Sequence, residues 1–107
     1  MSYARTDTGG LVYEVAEKVV ISNQATVGIY YFRHGSDFVR FAKQMIAKDI
    51  RVNNEFYVCP VFNELIQAGL DVYVSEIEPG QMHGLGTPED LEAFVAWRGA
   101  PRLAIAA

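Results

Sequence analysis

Glu17 and Lys18 stand side by side between two apolar runs, residues 11–15 and 19–21. Opposite charges in such a place can hold a polar ligand, the ammonium donating to a phosphate and the carboxylate accepting from a hydroxyl. The same dipeptide also reads as a solvated ion pair at a strand end, the commoner role for adjacent charges. Other chemistry-bearing residues are sparse. His34 and His83 have no second His, Cys or carboxylate at metal-ligand spacing, so both read as loop histidines beside turn glycines. Cys59 lies in the apolar stretch Phe56-Tyr57-Val58-Cys59, which predicts a buried structural thiol rather than a nucleophile. Gly84-Leu85-Gly86-Thr87 precedes a helix start, where free N–H groups suit a phosphate. Glu89, however, stands where a dinucleotide fingerprint needs a third glycine, and with Asp90 it would repel an anion. A helix cap with a tight entry turn is the better reading of that segment.

The elements that must position these residues follow from periodicity. Leu11-Val12-Tyr13-Glu14-Val15 predicts a strand that residues 19–21 extend or follow, before Ser22-Asn23-Gln24 breaks it. Residues 25–32, Ala-Thr-Val-Gly-Ile-Tyr-Tyr-Phe, are β-branched and aromatic on both faces and predict an interior strand. Gly28 within it suggests close approach of another backbone or a ligand. Ser36 is placed to cap a helix whose apolar side is Phe38, Phe41, Ala42, Met45 and Ile46. Asn53-Asn54 favours a turn. A second helix over residues 60–68 is closed by Gly69, with Pro60 in its first turn. Residues 71–77 alternate as a strand. Thr87-Pro88-Glu89-Asp90 then opens a third helix through cap, proline and dipole together. The order β-β-α-α-β-α predicts an α/β layer structure with a small mixed sheet. Residues 1–10 and 100–107 are expected to be loose ends of a single domain spanning 1–107.

Composition bounds the function. The chain has 107 residues, 50% of them hydrophobic, enough apolar material for one folded domain. Nine basic against 13 acidic residues leave a net charge of −4, the wrong sign for a protein that tracks a phosphate backbone. Neither a nucleic-acid partner nor a membrane is expected, because the longest apolar stretch, around residues 56–62, contains Pro60. One cysteine cannot form an intramolecular disulfide, and a reducing, cytoplasmic setting is expected.

Several segments together resemble the sugar-phosphate nucleotidyltransferases, also called sugar-nucleotide pyrophosphorylases. They are Glu17-Lys18-Val19, Gly28-Ile29-Tyr30-Tyr31-Phe32, Asn54-Glu55-Phe56-Tyr57-Val58, Asn63-Glu64-Leu65-Ile66 and Gly84-Leu85-Gly86-Thr87-Pro88-Glu89-Asp90-Leu91. Their order and spacing match the family from about Leu11 to Trp97. The resemblance covers only the C-terminal, sugar-binding half of that catalytic domain, a half-domain of a Rossmann-like fold. It implies that Glu17 faces a sugar hydroxyl, Lys18 the sugar phosphate, Gly28 a strand backbone close to the sugar, and Asn54 and Glu55 the border of the pocket. Val19 replaces the family's proline after Glu-Lys. The glycine-rich Gly-x-Gly-[Ser/Thr]-Arg loop that binds the nucleotide has no counterpart in these residues. Magnesium in the family is held by two aspartates. One belongs to the nucleotide half, and Gly84 stands at the position many members give to the other, so no catalytic or metal-binding residue is expected and magnesium enters only with a complementary half. The expected function is a nucleotidyltransferase-like fragment that binds a sugar phosphate weakly at most. Two alternatives are the sugar-binding subunit of a split enzyme and a self-associating structural module. A half-domain should expose apolar faces and strand edges, so a homodimer is the expected oligomer.

Overall fold

The computed structural model describes residues 1–99, which divide into two compact units, one over residues 1–75 and one that begins at Glu76. In the first unit, β1 (Ser2–Thr6) pairs antiparallel with β2 (Val12–Glu17). A register shift between Arg5 and Thr6 sets Arg5 opposite Glu14 and Thr6 opposite Val12. Tyr13 is the extra residue of this bulge and points to solvent. The helices α1 (Gly35–Ala47) and α2 (Val61–Gln67) complete the unit. The second unit holds a 3-10 turn (Pro79–Gln81) and α3 (Pro88–Gly99). The small α/β fold is thus as expected, with every observed strand pairing antiparallel.

Several elements differ from the sequence reading. The N-terminus is not a loose end: Ser2–Thr6 is a strand, because Ala4 is buried against the core and its polar neighbours bond outward. The tail, residues 100–107, lies outside the described residues. Residues 25–32 do not form the expected interior strand. Only Ala25 bridges to Tyr3, and Gly28 then turns the chain with φ +79°. Residues 71–77 reduce to one bridge, Tyr73 to Leu11, with Val12 N donating to Val72 O at 2.8 Å. A period of two fixes the faces of a strand but supplies no neighbour to pair with. Residues 19–21 do not extend β2, since Lys18 takes a left-handed φ of 62° and ends it. Ser36 caps nothing, and His34 occupies the N-cap of α1 without a side-chain bond. Ile46 faces solvent rather than the core.

Other signals act as read. Pro60 is the N-cap of α2, and Gly69 adopts φ +86° just beyond it. Asn53 and Asn54 both adopt left-handed φ, at 50° and 64°. Thr87 Oγ1 accepts from Asp90 N at 3.1 Å at the start of α3.

The core joins the sheet to both helices of the first unit. Ala4, Val12 and Val15 from the strands meet Phe41 and Met45 of α1 and Cys59, Val61, Phe62 and Leu65 around α2. Phe32 stacks on Phe62 with centroids 4.6 Å apart and also meets Phe38 at 5.0 Å. Asn63 ties α2 to β2: its Nδ2 donates to Val15 O at 2.8 Å, and its Oδ1 accepts from Val15 N at 2.9 Å. In the second unit, His83 packs on Trp97 and Phe94 at 4.3 and 5.1 Å.

Candidate functional site

All five residues singled out in the sequence lie in the first unit, whereas Gly84-Leu85-Gly86-Thr87 lies in the second. β2 delivers Glu17 at its last position, where Ser2 is opposite. The Glu17 side chain is 10% exposed and its Oε1 lies 3.9 Å from the N-terminal amine. Lys18 leaves the strand through its left-handed backbone, which turns its side chain out to solvent. Its Nζ sits 4.9 Å from the centre of the Tyr57 ring.

The electrostatics follow from that placement. Tyr57 holds the Lys18 ammonium above the ordinary lysine range, first by hydrogen bonding and then by its charge. Desolvation opposes this, and the carboxylates of Glu55 and Glu17 add to the upward shift. Lys18 therefore stays charged throughout the neutral range, as a donor to an anion should. Burial pushes the Cys59 thiol up, and the Glu17 charge adds a smaller rise. Hydrogen bonding with Ser2 and then Tyr30 offsets the rise in part. Cys59 is 1% exposed, the structural thiol that the apolar stretch predicts.

The structure brings Glu17 and Glu55 within electrostatic reach of Lys18. Among the described residues, no hydrogen bond or ion pair joins Gly28 or the Asn54 side chain to them. Asn54 turns the chain into Glu55, which exchanges backbone hydrogen bonds with Val52 at 2.8 and 3.0 Å. Gly28 is required by its positive φ. A Cβ built there meets no atom within 4 Å, so the backbone is open to solvent rather than crowded by another strand. Tyr57 is the residue the sequence reading missed. It follows Glu55 by two positions in the motif quoted above, and its only sequence signal is an aromatic ring just after the Asn53-Asn54 turn.

Among the described residues no three His, Cys, Asp or Glu side chains gather as a metal site, and Gly84 carries no ligand. His34 is exposed and His83 is committed to its aromatic neighbours. No helix among the described residues is long and apolar enough to cross a membrane.

No protein-family model matches the chain. No curated protein matches it either. Among solved structures, a nucleoside-diphosphate-sugar pyrophosphorylase from Vibrio cholerae RC9 superposes with a TM-score of 0.81 at 27% identity, over 89% of this chain. The chain spans only 41% of that protein's length. In fold, and coarsely in sequence, the chain is similar to a sugar pyrophosphorylase, with a small α/β structure of nucleotidyltransferase type.

Proposed function

We propose that this chain is a sugar-phosphate-binding module of nucleotidyltransferase type, and that it does not transfer a nucleotidyl group by itself. Lys18 donates to the phosphate of a sugar 1-phosphate, Glu17 accepts from a sugar hydroxyl, and Asn54 and Glu55 border the pocket. Gly28 leaves its backbone open for the sugar to approach. The observation that carries the reading is the exposed Lys18 ammonium, steadied by the Tyr57 ring with its Nζ 4.9 Å from the ring centre. A lysine binds phosphate as a point charge, without needing the bidentate geometry of an arginine. Affinity is weak because water screens an open site; millimolar binding, about −4 kcal/mol, is the expected strength. The 107 residues contain no Gly-x-Gly-[Ser/Thr]-Arg loop, and phosphoryl-transfer catalysis rests on positioning the triphosphate. A single buried thiol suits a reducing, cytoplasmic setting.

A second reading, the sugar-binding subunit of a split pyrophosphorylase, is favoured by one observation: the chain matches 41% of its solved neighbour. In that case another polypeptide brings the nucleotide loop and its magnesium.

The test is an NMR titration of the chain with several sugar 1-phosphates, beside the Lys18→Ala variant. Shifts confined to residues around Glu17, Lys18 and Gly28 that vanish in the variant are expected. Shifts indifferent to Lys18 would reduce the pair to a solvated strand end. A parallel assay should release no pyrophosphate from nucleoside triphosphate and sugar 1-phosphate above a protein-free control.

A further inference from the structure

The second unit holds a hollow that the sugar-phosphate reading does not use. Asp90, Phe94 and Trp97 recur at i, i+4 and i+7 and so share one face of α3. The His83 ring lies against that face, 5.1 Å from Phe94 and 4.3 Å from Trp97 between centroids. With Met82 these side chains line a hollow of about 320 Å³, open to solvent. Two small residues on its wall, Gly84 and Ala93, leave it unfilled, and a Cβ built at Gly84 would meet no atom within 4 Å. Trp97 is still 48% exposed.

The charge around the hollow has one sign. Residues 76–97 contain Glu76, Glu78, Glu89, Asp90 and Glu92 and no lysine or arginine. Asp90 supplies the carboxylate of the wall, and it is exposed, with no side-chain hydrogen bond or ion pair among the described residues. Such a field favours a cation, and the faces of Phe and Trp rings attract the same charge through their quadrupoles.

We propose that this hollow binds a methylated ammonium group, its charge beside Asp90 and its methyl groups against Met82, Phe94 and Trp97. A primary ammonium brings three N–H donors, which rings and a thioether cannot satisfy. A quaternary nitrogen brings none, and its methyl groups gain from burial against apolar walls. Phosphates and carboxylates are disfavoured by the five acidic side chains. A neutral group of the same shape keeps the apolar contact but loses the attraction to Asp90 and the rings. The hollow lies wholly within residues 82–97, so the proposal does not depend on what Lys18 binds.

Trp97 is the chain's only tryptophan, so its emission reports on this hollow alone. The test titrates the full 107-residue chain with choline, sodium chloride holding the ionic strength constant, and in parallel with the neutral alcohol in which carbon replaces the choline nitrogen. A saturable change in Trp97 emission is expected with choline, at a dissociation constant about tenfold below that of the alcohol. Asp90→Asn, at an exposed position, should keep the far-UV circular dichroism, weaken choline about fivefold and leave the alcohol unaffected. Equal affinity for choline and the alcohol would overturn the proposal, since the hollow would then be blind to charge. No saturable change with choline, or a choline affinity indifferent to Asp90→Asn, would overturn it as well.

Discussion

Lys18 combines an exposed charge with a fixed environment. A left-handed backbone costs a lysine about 1 kcal/mol or more, as for any residue with a Cβ. Here that conformation ends β2 and carries the side chain to Tyr57. The consequence is visible in titration. Its neighbours raise the folded-state pKa above the unfolded one. The stabilisation they give is therefore complete below the unfolded value, about 10.4 for an ordinary lysine, and is lost as pH rises through the folded value. Following the Lys18 Cε and Hε resonances by NMR should place the midpoint above that of free lysine. Tyr57→Leu should bring it down, because the largest cause of the shift goes with the phenol. A midpoint unmoved by that substitution would mean that the carboxylates alone hold the charge. Glu17 and Lys18 were legible as an acid–base pair in the sequence, but Tyr57 was not. Its part depends on a turn through Asn53 and Asn54, two successive left-handed residues, whose direction no local pattern encodes.

At the scale of elements, strong local chemistry was readable and long-range pairing was not. Pro60 and Gly69 set the ends of α2 through their backbone conformations and Thr87 the start of α3 through its hydroxyl, all three where the sequence places them. Residues 25–32 and 71–77 have strand composition, yet strand status needs a hydrogen-bonded neighbour, and the chain provides each with a single bridge. Ser2–Thr6 shows the converse. With Asp7, Thr8, Gly9 and Gly10 its Ser2 and Thr6 read as a frayed end, but pairing with β2 makes it a strand. Helix α2 is held by two devices a pattern does not reveal. Glu64 is fully buried with Lys48 Nζ 2.7 Å away as its ion-pair partner. Asn63 closes a two-bond ring on Val15, standing in for the strand that β2 lacks on that side. Asn63→Ala removes both bonds and leaves a part-buried N–H and C=O of β2 unsatisfied, for which a loss of about 1–3 kcal/mol is expected. Urea unfolding measures it. A variant as stable as the native chain would show that water replaces the amide at no cost.

For the whole molecule, the division into two units separates the candidate binding residues from the third helix. Among the described residues every buried apolar residue, from Ala4 to Leu65, belongs to residues 1–75, as do Glu17, Lys18, Asn54, Glu55 and Tyr57. The second unit is organised differently, around the His83, Phe94 and Trp97 rings, and its described residues leave Leu91, Val95 and Trp97 half exposed.

A core confined to one unit has a consequence for truncation. A chain of about 75 residues buries little more than 60% of its unfolded surface and is stable only if its core is contiguous. The first unit meets that condition. The strands supply three core residues, α1 two, and the segment from Cys59 through α2 the other four. A chain ending at Ser75 should therefore unfold cooperatively in urea, with a smaller slope than the full chain in proportion to the surface lost. It should also keep the Lys18 resonances at their full-length shifts, since the groups that set them all remain. Loss of cooperativity would show that residues 76–107 complete the core of the first unit. A cooperative transition with displaced Lys18 resonances would instead show that those residues reach the candidate site.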